Sequence, residues 1–226
     1  MIDMQKFSDE TCERPQVNRS GIARIVPPIF GALAVLFFIL RVVARCGFGK
    51  RGWGADDWAI VPPVVATIAL VVLCGFLAQG GLGLDVWYIA PEQITYLLRI
   101  FFWGEVLYVF IIPMTKISVL IFYLQIFPER SFKRATWILI ILNFMHLVAF
   151  VCTTIFQCTP IAGAWDYQGT LKAQCRSLNK QVWAAATTSI ALDIAMLILP
   201  MPGLWKLNMT LRKKLQVMLM FGLGVL

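Results

Sequence analysis

The sequence predicts an all-α fold, a polytopic bundle of transmembrane helices. Composition, run length and charge placement point there. Of 226 residues, 59% are hydrophobic and only 14% are charged, against roughly 25% charged in an ordinary soluble domain. The apolar residues gather in runs near the 20 or so needed to cross a bilayer core of about 30 Å. The basic residues gather in the short stretches between those runs, as in cytoplasmic loops. The same numbers exclude disorder. A single histidine leaves a His/Cys metal site poorly supplied.

The first span is read from Gly21 to Ala44, with an unbroken apolar core from Ile25 to Leu40. Pro27 and Pro28 are placed in its first turns, where proline costs least. The second runs from Trp58 to Ala78. Asp56 and Asp57 precede it, where a carboxylate suits the N-cap and the helix dipole. The third, from about Gln93 to Phe127, has 35 residues and contains Arg99, Glu105, Pro113 and Lys116. Two spans would need about 40 residues plus a turn, so one long tilted helix is predicted, with Pro113 as a candidate kink. The fourth is Ala135 to Cys158. The fifth is Gln181 to Leu204, closing at Pro200 and Pro202. A partial sixth covers 215–226 and is still apolar at Leu226. Residues 1–20 form a polar tail with no apolar h-region, so no cleavable signal peptide is expected. Residues 21–226 form one bundle without internal repeats.

Charge placement orients the chain. The loop after span one, with its flank, holds Arg41, Arg45, Lys50 and Arg51. Arg130, Lys133 and Arg134 follow span three. Lys206, Arg212, Lys213 and Lys214 follow span five. The opposite side has only Lys172, Arg176 and Lys180 in its loops, and a tail in which acids offset bases. The bias predicts a multi-pass membrane protein with an extracellular N-terminus, most simply in the plasma membrane. The net charge of +8 is then an orientation signal. The lipid bilayer is the expected partner, and nucleic acid is not. Two sequons provide a check: Asn18 lies in the outer tail, and Asn208, in an inner loop, should carry no glycan.

Cys158 and Cys175 fall on the outer, oxidising side, where a disulfide is permitted. It would close a loop of about 17 residues and contribute roughly 3 kcal/mol. The alternative is two unrelated thiols. Three ionisable residues fall deep in spans, at about 2.5 kcal/mol or more each on insertion scales: Glu105, Lys116 and Asp193. Lys116 lies eleven residues before Phe127, and Asp193 eleven before Leu204. Both are therefore about 16 Å inside the cytoplasmic ends, near the midplane. Glu105 lies near the outer interface. A Lys116–Asp193 pair between spans three and five is the hypothesis. It reads either as a polar switch or ligand counter-ion, or as a structural pair that fixes helix register. His146, beside Asn143, reads as a satisfied interior residue.

These residues also carry a family resemblance. Trp53-Gly54-Ala55-Asp56-Asp57-Trp58 opens the second span, and Gly80-Gly81-Leu82-Gly83 closes it. Lys116-Ile117-Ser118 begins the inner half of span three, which ends at Phe127-Pro128. Cys158-Thr159-Pro160, Trp165, Cys175, Asp193 and Leu199-Pro200 follow in order. The chain resembles the fungal rhodopsin-domain family of integral membrane proteins, the PTH11-like and SAT4 group, over about Ile25 to Leu226. The resemblance implies seven helices and an outer N-terminus. It carries the family motif onto Asp56, Asp57, Trp58, Lys116 and Ser118, and the outer-loop cysteines onto Cys158 and Cys175. The family's arginine near the end of span three is Gln125 here. With span six cut and span seven missing, the sequence is expected to be a fragment or a truncated gene product. A retinal Schiff base needs a lysine in the seventh helix, so no cofactor is expected.

Three function classes compete. The favoured one is receptor-like sensing of an extracellular cue, with an unknown extracellular ligand and a cytoplasmic signalling partner at the basic inner loops. The alternative is a transporter or accessory membrane protein, although no repeat supports it. An enzyme is not expected: HExxH, GxSxG and paired catalytic aspartates on spans do not occur. Asp56 and Asp57 are adjacent, and so diverge on a helix.

Overall fold

A computed structural model describes residues 20–48, 54–83, 89–126, 129–167 and 169–201. Within them are five long helices: α1 Ser20–Phe48, α2 Ala55–Gln79, α3 Pro91–Ile126, α4 Arg130–Ile155 and α5 Leu178–Ile198. All five are long and apolar enough to cross a membrane. The third is one continuous helix of 36 residues, as its length requires. The N-terminal tail, the sixth run, the asparagines of both sequons and most of the basic residues expected in inner loops lie outside the described residues.

Several boundaries differ from expectation. Pro27 and Pro28 sit inside α1 rather than in its first turns, and Pro62 and Pro63 sit inside α2. Each removes an N–H from the ladder. The Thr67 hydroxyl donates to the Pro63 carbonyl at 2.7 Å, giving that oxygen a side-chain partner. Arg130, Lys133 and Arg134 are not loop residues. They begin α4, which starts five residues earlier than the apolar run because charged residues with good helix propensity extend it. The same helix stops at Ile155, so Cys158 lies past its end. The continuous part of α5 stops at Ile198, just before buried Pro200.

The fold divides into two compact units. One comprises Met1–Trp53, Pro62–Ile111 and Val151–Arg176. In it α1 meets α2 where Gly31 faces Val71, and the turn after α2 meets α3 where Gly80 faces Leu97. Gly81 and Gly83 take positive φ there, a conformation that glycine adopts without steric cost. The same unit holds a small antiparallel pair, β1 Cys158–Thr159 and β2 Gln174–Cys175, with Cys158 opposite Cys175. A 3-10 turn, Ile161–Ala164, follows β1.

The other unit comprises Gly54–Val61, Ile112–Phe150 and Ser177–Leu226. Its core is Leu120 and Tyr123 of α3, Phe132 and Leu139 of α4, and Met196 of α5. Outward-facing residues on the helices are large and apolar, including Phe30, Phe37, Trp137 and Ile190. This is the surface a hydrocarbon solvent permits and water does not.

Candidate functional site

Lys116 is placed by the C-terminal half of α3, and Ser189 and Asp193 by one face of α5, four residues apart. The Lys116 ammonium donates to Ser189 Oγ at 2.7 Å and to the Ser189 carbonyl at 3.0 Å. It also lies 2.9 Å from Asp193 Oδ2. An ammonium has three donors, so all three are used. The side chains are 12% and 24% exposed, so the charges are largely withdrawn from any solvent and must be compensated here. A second polar contact joins α4 to α5: His146 Nδ1 lies 3.3 Å from Thr188 Oγ1, with Phe150 against the imidazole.

Glu105 accepts a hydrogen bond from the Gln157 side chain, just past the end of α4. The disulfide Cys158–Cys175 is formed, with a sequence separation of 17. The loop it closes is organised from within. The Asp166 carboxylate accepts from the Leu171 amide at 2.6 Å and from the Thr170 hydroxyl. The Leu171 amide first, and then the Thr170 hydroxyl, hold it below the usual carboxylate range. Trp165 packs edge-on against Phe102 of α3 and lies under the Arg99 guanidinium, 5.7 Å from its ring centre.

The acidic pair before α2 plays a different part from the one expected. Helix α2 begins at Ala55, so Asp57 is its third residue and not its N-cap. Asp57 Oδ2 reaches back to accept from the Gly54 amide at 3.0 Å, the reciprocal half of a capping box. Asp57 is buried and Trp58 exposed; the Asp56 side chain lies outside the described residues. Ser118 is buried, two residues after Lys116 and so on another face of α3. Among the described residues no group of His, Cys, Asp and Glu side chains could hold a metal ion.

Ser189 escaped the sequence reading, although it stands one helical turn before Asp193 and so on its face. Gln157 and Thr188 were also missed, because a polar residue shows its partner only when the two elements that carry them are placed together.

The fungal rhodopsin domain profile matches residues 40–226. The chain belongs to the fungal rhodopsin domain family. Among curated relatives, a "SAT4 family membrane protein" of Emericella nidulans is 29% identical over 61% of this chain and 36% of its own length. "Fugralins biosynthesis cluster protein 2" of Gibberella zeae is 32% identical over 54% of this chain and 31% of its own. "Polyenoic acids biosynthesis gene cluster protein Ba17b" of Metarhizium anisopliae is 26% identical over 87% and 54%. This fungal rhodopsin domain therefore spans a third to about half of these relatives' lengths. No solved structure matches it.

Proposed function

We propose that this integral membrane protein is receptor-like. It senses an extracellular cue, in the plasma membrane, with its N-terminus outside and seven helices in the whole protein. The observation that carries this reading is the Lys116–Ser189–Asp193 cluster. An ion pair within spanning segments joins α3 to α5, and its two charges are costly to leave apart. Such a pair favours discrete helix arrangements over gradual ones, which a receptor needs. The disulfide supports an outer location for the loop it closes, since disulfides persist in oxidising compartments. The exposed Lys133 and Arg134 on α4, with the inner basic residues, suit a cytoplasmic partner. No enzymatic role is proposed.

The relatives' names favour a second reading. Two of them are named for biosynthesis clusters, of fugralins and of polyenoic acids. An accessory or transport role beside small-molecule synthesis fits those names. The deciding experiment expresses the full-length gene in a null strain and follows the transcriptional response to conditioned culture medium. The receptor reading expects a response that the Lys116→Met variant loses. Solute uptake that persists in purified proteoliposomes would sink it.

A further inference from the structure

The Thr188 hydroxyl has one hydrogen. Its oxygen lies 2.8 Å from the Ala184 carbonyl and 3.1 Å from the Ala185 carbonyl. Both are pure acceptors, so the hydrogen goes to them. His146 Nδ1, 3.3 Å from the same oxygen, can then only donate to it. This network assigns the imidazole as the Nδ1–H tautomer, which leaves Nε2 with a bare lone pair. Among the described residues no donor reaches it.

A second unfilled acceptor lies one turn earlier on the same face of α4. Asn143 is fully buried. Its Nδ2 donates to the Leu139 carbonyl at 2.9 Å, but its Oδ1 meets no donor. Buried acceptors are normally satisfied, and each exception calls for a missing donor. Lys116 cannot supply one, since its three hydrogens are already placed.

We infer that His146 Nε2 is the polar anchor of a binding site for a membrane-soluble molecule that carries an O–H or N–H donor on an apolar body. His146 is half-buried, and the residues that share its face of α4 and the Thr188 face of α5 include the exposed apolar side chains Leu142, Ala149, Ala184 and Ala191. An apolar body dissolved in lipid can pack against them while its donor satisfies the nitrogen. The receptor-like reading supplies only the biological use of this site, and binding is measured without any signalling output. Failure of one therefore leaves the other standing.

The chain has one histidine, so 15N-histidine labelling reports on this ring alone. The labelled full chain in lipid nanodiscs is titrated with dodecan-1-ol and, separately, with dodecyl methyl ether, which has the same tail but no donor. The expected spectrum shows a protonated Nδ1 and a bare Nε2. The alcohol shifts Nε2 and the ether does not. The tautomer preference is lost in Thr188→Val and kept in Thr188→Ser; the wild-type comparison stands alone if Thr188→Val does not fold. A protonated Nε2 before addition, an unmoved resonance, or equal shifts with alcohol and ether would overturn the inference.

Discussion

Replacing Lys116 with Met leaves the largely withdrawn Asp193 carboxylate without its counter-ion. At 2.9 Å the Coulomb attraction between the two charges is about 6 kcal/mol for an effective dielectric of about 20. Desolvation offsets much of this, and removing one partner of a buried pair costs about 3–5 kcal/mol in practice. Lys116→Met and Asp193→Asn are therefore each expected to cost about 3 kcal/mol. The double variant loses the pair but leaves no uncompensated charge. Its cost should fall about 2–3 kcal/mol short of the sum of the singles. Reversible unfolding in mixed detergent and SDS micelles, followed by helical circular dichroism, measures all four corners of the cycle. A coupling energy below about 0.5 kcal/mol, within the additivity expected of independent sites, would refute the reasoning. The 2.9 Å contact would then be energetically idle.

Reduction of Cys158–Cys175, or its replacement by serines, should cost roughly 3 kcal/mol from the freed 17-residue loop; a lowered thermal midpoint with reductant checks it. Gly163→Ala places a Cβ against the Ala173 side chain and should destabilise the loop by about 1–3 kcal/mol, with recovery in the Gly163→Ala, Ala173→Gly double variant. Because Asp166 is held below its ordinary value of 3.8, its contribution is full above that pH and is lost as pH falls through the lower folded value. Hydrogen exchange at the Leu171 amide should therefore stay protected at neutral pH and lose protection only in that acidic window, whereas Asp166→Asn removes the pH dependence.

The spans were legible because length and apolarity alone define a crossing helix. The 36-residue α3 could be assigned as one helix on arithmetic. The Lys116–Asp193 contact was also anticipated, but not for the full reason given. The count took span five to Leu204, whereas the continuous helix ends at Ile198. Equal counting from the two ends therefore does not describe what aligns these residues. Apolar periodicity could not help, because helices exposed to hydrocarbon carry apolar residues all round and show no preferred face. For the same reason the Trp165–Phe102 contact and the Gln157–Glu105 bond were hidden. The Asp57 cap was misassigned by three positions because the apolar run begins later than the helix that carries it.

The partners of Lys116 are far apart in time as well as in sequence. Ser189 lies 73 residues further along the chain. At about 5–20 residues per second a ribosome needs roughly 4–15 s to make that stretch. Throughout that interval α3 has been made and its ammonium has neither Ser189 nor Asp193 to meet. Until α5 emerges, α3 carries by itself the cost of its ionisable residue, about 2.5–3.5 kcal/mol on insertion scales. Biogenesis of this protein should be unusually sensitive to anything that delays translation between Phe127 and Leu178.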